Sequence, residues 1–165
     1  SDFNIREVVD EIVFDLEDLA EEKNVKIMSS VDDKIIYSSD ILLERAIYNL
    51  GKNGIIYNKD GGSLSFDFRE DEKNYFIEVR DTGCGISDEE KVKVFDLFYR
   101  VDESRDRKSG GYGIGLNLVK NIVEKLKGDI KVMDNKNEKG KIIGTVFEII
   151  LPKLKEETKW GLFFS

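Results

Sequence analysis

The sequence predicts an α/β domain, and three observations predict it. Apolar residues recur at helical spacing in some stretches. Other stretches alternate apolar and polar side chains. The two kinds are interleaved along one short chain, with no repeat and no linker long enough to separate two units. The length, 165 residues, is that of a single domain. Hydrophobic residues at 40% supply a core, and charged residues at 36% supply a soluble surface.

Ile5, Val8, Val9, Ile12, Val13, Leu16, Leu19 and Ala20 recur three and four apart, which predicts an amphipathic helix over residues 4–23. VKIMSS and KIIYS read as two short strands. Asp40 is placed to cap a second helix, ILLERAIYNLGKNGIIYN, running to about Tyr57. Inside it, Gly51 and Gly54 each weaken the helix by about 1 kcal/mol relative to alanine. KDGG makes a turn, and SLSFDF and NYFIEVRD alternate as an antiparallel pair. In the second of these, Tyr75, Ile77, Val79 and Asp81 share a face, so a carboxylate ends an apolar stripe.

After the loop TGCGI, Ser87 and Glu90 form a capping box for a short helix, SDEEKVKVF, in which Phe95 reads as core. Residues 101–112, VDESRDRKSGGY, are almost wholly polar and read as a mobile loop. A third helix, Ile114 to Leu126, turns Leu118, Val119, Ile122 and Val123 inward and ends at Gly128. DIKVMD and KIIGTVFEIILP read as a final hairpin closed by Pro152. The domain is expected over residues 1–152, with residues 153–165 a tail ending in an apolar cluster.

Composition narrows the chemistry. Thirty-four acidic against 26 basic residues give a formal net charge of −8, which disfavours a general nucleic-acid or anionic-membrane surface but permits a local basic pocket. The single cysteine, Cys84, excludes a disulfide framework within the chain and fits an intracellular setting. No stretch reaches transmembrane length, and SDFNIREVVD lacks the pattern of a signal peptide. The chain has no histidine, so any reaction needing an imidazole must borrow it from a partner.

Several positions carry chemistry. Asn49 and Asn53 lie four apart on one face of the second helix, where their neighbours are largely apolar. They fit either a half-exposed polar pair or a ligand site in which Asn53 offers oxygen to Mg²⁺ opposite phosphates. Asp81, followed by Gly83 and Gly85, fits an acidic turn, or a carboxylate accepting from an exocyclic amine with backbone passing close to the base. Arg100, Arg105, Arg107 and Lys108 form either a solvated face or a set of phosphate contacts. The stretch RKSGGYGIGLNLVK lacks the GK-Ser/Thr of a P-loop and the spacing of a dinucleotide turn. What remains is a glycine-rich entry to a helix whose free N–H groups attract phosphate, or a hinge. Gly144-Thr145 fits plain strand or close ligand approach.

Taken in order, these pieces resemble the catalytic and ATP-binding domain of bacterial sensor histidine kinases, within the gyrase, Hsp90 and MutL superfamily. NLGKNGIIYN resembles its N box, DTGCGI its first glycine box, FDLFYR its phenylalanine box, GGYGIGL its second glycine box and GTVFEIILP its last. The resemblance spans about residues 3–152. It implies a two-layer α/β sandwich of the Bergerat type, with a mixed, mainly antiparallel sheet against three main helices. It implies ATP and Mg²⁺ as cofactors, with residues 101–112 as a lid. It makes Asn53 the metal ligand and gives catalytic roles to Asn49, Asn53 and Arg100. Asp81 binds the adenine amine, Tyr57 packs near the base and Thr145 supports the adenine end. Gly83, Gly85, Ile86, Phe98, Lys108, Gly111, Tyr112, Gly113, Ile114, Gly115 and Leu116 complete the implied nucleotide contacts.

The hydrolytic relatives carry a general-base glutamate where this chain has Asn49, which suits a kinase that keeps its γ-phosphate. Gly54 replaces the usual alanine, and Ile56 replaces a lysine or arginine that commonly holds phosphate, leaving that charge to a lid cation. DFNIREVVDEI resembles chain that follows histidine-bearing dimerisation helices. The implied protein is thus longer, homodimeric and membrane-attached, with this domain cytoplasmic. Alone, the chain would be monomeric and unable to autophosphorylate. Its partners would be the histidine-bearing domain and a response regulator, with no nucleic acid. An anti-sigma-factor-type serine kinase, a nucleotide-binding regulatory module and a hydrolytic ATPase remain as alternatives.

Overall fold

The computed structural model describes residues 1–96 and 113–154. The elements run β1 (Asp2–Asn4), α1 (Ile5–Lys23), β2 (Lys26–Ser29), β3 (Ile35–Tyr37), α2 (Asp40–Ile56), β4 (Ser63–Glu70) and β5 (Asn74–Asp81). After these come α3 (Asp88–Lys91), α4 (Gly113–Lys125), β6 (Asp129–Lys136) and β7 (Ile142–Pro152). Five strands form one sheet in the order β2-β4-β5-β7-β6. Only β2–β4 is parallel; the other three pairings are antiparallel. The expected mixed, mainly antiparallel sheet is present, and α1, α2 and α4 pack on one of its faces.

Period decides this layering. Alternation on β4, β5 and β7 sends Leu64, Phe66, Ile77, Ile149 and Leu151 inward. They meet Ile5, Ile12 and Leu16 of α1, Leu43, Ile47 and Leu50 of α2, and Val119 and Val123 of α4 in one cluster. The central helix, α2, touches both neighbouring helices and strands β4 and β5. Its glycines, read from sequence as weak points, are packing sites. A Cβ on Gly51 would stand 2.8 Å from Leu16 Cδ1 and 3.0 Å from Phe66 Cζ.

Several local expectations shift. Asn4 is the cap of α1 rather than its first residue, accepting from Arg6 N at 3.0 Å. Before it, β1 pairs antiparallel with β3 in a second, two-stranded sheet that short polar DFN did not announce. Ser39, not Asp40, caps α2: its backbone is extended and its Oγ accepts from Leu42 N at 3.3 Å. Asp40 sits in the first turn, where its charge favours the helix dipole. Beyond α4, Lys127 takes the left-handed turn (φ 64°), not Gly128. Gly128 is needed for space, since a Cβ there would lie 2.3 Å from Ile150 O. Ser87 does accept from Glu90 N at 3.2 Å, but α3 lasts only four residues and turns continue behind it. Phe95 meets Phe147 edge-on, with centroids 6.0 Å apart, as its core reading requires. The polar loop over 101–112 and the tail beyond Leu154 lie outside the described residues.

Candidate functional site

The last turns of α2 form the floor of a cleft. Helical period places Asn49, Asn53 and Tyr57 one above another. Asn49 is half-buried and donates its Nδ2 to Arg45 O at 2.7 Å, within its own helix. Asn53 is 5% exposed, and neither its Nδ2 nor its Oδ1 has a hydrogen-bond partner among the described residues. A buried amide left unpaired costs about 1–3 kcal/mol. Such a cost persists where a ligand supplies the missing partner.

Asp81 closes the other end. It is the last residue of β5 and only 8% exposed. Its Oδ1 accepts from Gly83 N at 2.9 Å and from Thr145 N at 3.1 Å, leaving Oδ2 without a hydrogen bond among the described residues. Burial pushes the carboxyl up to about 6, against the pull of those two backbone donors. Its backbone carbonyl accepts from Asn135 Nδ2 at 2.8 Å, so side chain and main chain are both fixed.

A polar clamp holds the floor to the wall. Asn58 Nδ2 donates to Gly54 O (2.9 Å) and Ser63 O (2.8 Å), while Thr82 Oγ1 accepts from Ser63 N at 2.8 Å. The end of α2, the start of β4 and the loop after β5 are thereby one unit. On the other side, Asn117 of α4 donates to Phe95 O at 2.9 Å.

The cleft is lined by Asn53, Tyr57, Asp81, Cys84, Gly85, Ile86, Leu116, Thr145 and Phe147. Seven of these were legible in the sequence. Cys84 and Phe147 were not singled out, although Phe147 is two residues from Thr145 and shares its face of β7. Asn49, Gly83 and Gly115 do not line the cleft. A Cβ on Gly115 would stand 3.4 Å from Asn49 Oδ1, so the first turn of α4 faces that amide. At Gly83 the backbone passes close to α2: a Cβ there would lie 2.5 Å from Tyr57 O. Gly144 likewise makes room for the carbonyl of Asp81, at 2.0 Å from a Cβ. Gly85 takes φ +74°, a backbone that L side chains rarely adopt.

Gly113 and Ile114 open α4. Phe98, Arg100, Arg105, Arg107, Lys108, Gly111 and Tyr112 lie outside the described residues. No group of three or more acidic, cysteine or histidine side chains suited to a metal occurs among the described residues.

A family model described as histidine kinase-, DNA gyrase B-, and HSP90-like ATPase matches residues 38–155. The chain belongs to this family. The matched span holds every element that lines the cleft and leaves out β1, α1, β2 and β3. Among relatives, the sensor protein CiaH of Streptococcus pneumoniae is 40% identical over 116 residues, 70% of this chain and 25% of that protein. The sensor histidine kinase WalK of Bacillus subtilis is 33% identical over 154 residues, 90% of this chain and 24% of that protein. This chain therefore spans about a quarter of the length of these curated relatives. The mycobacterial sensor histidine kinase MprB has a similar fold: TM-score 0.75 at 24% identity, over 92% of this chain and 96% of that one.

Proposed function

We propose that this chain is the ATP-binding catalytic domain of a sensor protein-histidine kinase. The observation that carries the proposal is one cleft holding the unpartnered buried amide of Asn53 and the half-satisfied carboxylate of Asp81. The sensor kinases among the relatives support the same reading.

In it, Asp81 Oδ2 accepts from the exocyclic amine of adenine. Thr145 supports that end by holding Oδ1. Ile86, Leu116 and Phe147 give the base apolar contact, and Tyr57 packs beside it. Mg²⁺ fits the donors present: Asn53 offers one hard oxygen, and an ion that keeps waters and takes phosphate oxygens needs few protein ligands. Bound there, it would neutralise charge on the β- and γ-phosphates. Asn49 positions the phosphates with its Oδ1, since Nδ2 is already engaged. Gly85, Gly113, Ile114 and Gly115 frame the nucleotide. Phe98, Arg100, Lys108, Gly111 and Tyr112 are proposed to close over it.

Transfer needs little covalent help from the domain. A histidine nitrogen on a dimerisation domain attacks the γ-phosphorus in line, the bond to the β–γ bridging oxygen breaks, and ADP leaves. At the phosphate end α2 offers the amide of Asn49, which takes no proton from water, so the γ-phosphoryl group is kept for histidine. A response-regulator aspartate then receives it. The parent protein is proposed to be a membrane-attached homodimer with this domain in the cytoplasm.

Two measurements test the reading. Titration calorimetry should show Mg·ATP binding that Asn53→Ala weakens at least tenfold without unfolding the chain. Mixing the chain, labelled ATP and a matching histidine-bearing domain should label that domain. Unchanged affinity in Asn53→Ala would remove Asn53 from the metal site. ATP binding without transfer would favour a regulatory nucleotide module, the reading that Ile56 supports. Steady phosphate release by the chain alone would favour a hydrolytic ATPase.

A further inference from the structure

Cys84 lines the same cleft as Asn53 and is exposed. It is the only cysteine in the chain. The backbone around it is held on both sides. Cys84 N donates to Tyr57 O at 3.3 Å, Gly83 has no room for a Cβ, and Gly85 is fixed at φ +74°. Anything added to the sulfur must therefore be accommodated outside the loop, which cannot retreat into the protein. In the same cleft the buried amide of Asn53, without a partner among the described residues, points to a polar ligand.

We propose that Cys84 is a thiol-modification site, and that a mixed disulfide formed there with a low-molecular-weight disulfide excludes nucleotide from the cleft. The step balances without a further oxidant. The Cys84 sulfur gives its proton to solvent and attacks one sulfur of the small disulfide. A new S–S bond forms, the old one breaks, and the second half leaves as a thiol. Cys84 is oxidised and the small disulfide is reduced. Added thiol reverses the exchange, so occupancy of the kinase site follows the thiol–disulfide balance around it.

This inference rests on the cleft being the nucleotide site, and the test separates the two. Nucleotide affinity of the unmodified chain is measured first by calorimetry. The chain is then treated with glutathione disulfide, checked by mass for one adduct, and measured again. In parallel, the reaction of Cys84 with dithiobis(nitrobenzoate) is followed with and without Mg·ATP. The proposal expects at least tenfold weaker nucleotide binding after modification, restored by dithiothreitol. It expects at least tenfold slower thiol reaction in the presence of nucleotide. Cys84→Ser should show no response to the disulfide. Equal affinities before and after modification, or reaction rates within twofold of each other, would overturn the inference and leave the nucleotide site standing. An unmodified chain that binds no nucleotide would overturn both.

Discussion

Thr145 N donates to Asp81 Oδ1 at 3.1 Å, joining residues 64 apart in sequence across adjacent antiparallel strands. The bond turns one carboxylate oxygen toward the protein and leaves the other to the cleft. Side chains far apart in the chain are brought to one cleft wall by that bond.

The first concerns pH. The carboxyl of Asp81 rises from an ordinary 3.8 to about 6, chiefly through burial. Between these values the folded chain holds a proton that the unfolded chain has released. Stability contributed by the protonated form is therefore lost as pH rises through this window, by about 3 kcal/mol in all. Urea unfolding of the nucleotide-free chain at pH 4.5 and 7 should show about two thirds of this fall, and Asp81→Asn should lack it. Equal pH slopes in both proteins would remove Asp81 as the cause.

The same substitution tests recognition. An amide in place of the carboxylate keeps the shape but loses a charged acceptor for adenine's amine. Hydrogen bonds to charged groups are worth about 1.5–3 kcal/mol, so ATP affinity should fall about 10- to 100-fold at pH 7.5. Calorimetry reads this directly, and a fall of less than threefold would point to another adenine anchor.

Asn53→Leu separates stability from function. Removing the orphaned amide relieves a penalty of about 1–3 kcal/mol, so thermal unfolding should be unchanged or shifted upward while Mg·ATP binding disappears. A large drop in Tm would show that the amide is satisfied in solution.

Gly54 tests a paired packing choice. A Cβ there would lie 2.5 Å from Leu64 Cδ1 on β4. Gly54→Ala gains helix propensity of about 1 kcal/mol but incurs an overpacking cost of about 1–3 kcal/mol. The single variant should therefore be no more stable than the parent, and Leu64→Val in the same chain should recover the difference. Additive effects of the two substitutions in a double-mutant cycle would contradict this contact.

Gly144→Ala should be more damaging. Its Cβ would meet the carbonyl oxygen of Asp81 at 2.0 Å, and that oxygen is backbone held by Asn135. Neither strand can yield cheaply, so a loss of about 3 kcal/mol or more is expected in denaturant unfolding. A near-neutral result would mean that β7 shifts freely against β5.

Much of the frame was legible because it is written in short-range period. The apolar spacing of Ile5 to Ala20 sufficed for α1, and the alternation of Tyr75, Ile77, Val79 and Asp81 placed a carboxylate on the inward face of β5. Where two local rules competed, the sequence was ambiguous. Ser39 and Asp40 are both good caps, and backbone conformation chose between them. Gly128 looks like a helix terminator, yet Lys127 takes the turn because Gly128 is pressed against Ile150. The pairing of β1 with β3 left no signal, since three residues carry too little pattern to register.

The sequence by itself determined most of the helices and strands and the placement of the side chains proposed to carry chemistry: Asn49 and Asn53 on one helical face, Asp81 at a strand end, glycines where backbone must pass closely. Tertiary structure alone decided what those groups are. Among the described residues Asn53 has no partner, because the parts of β5, β7 and α4 that line its cleft offer none. Asp81 is dry and half-satisfied because β7 delivers Thr145 N to one of its oxygens. Burial and hydrogen-bond partnership belong to contacts between distant residues, and no local period encodes them.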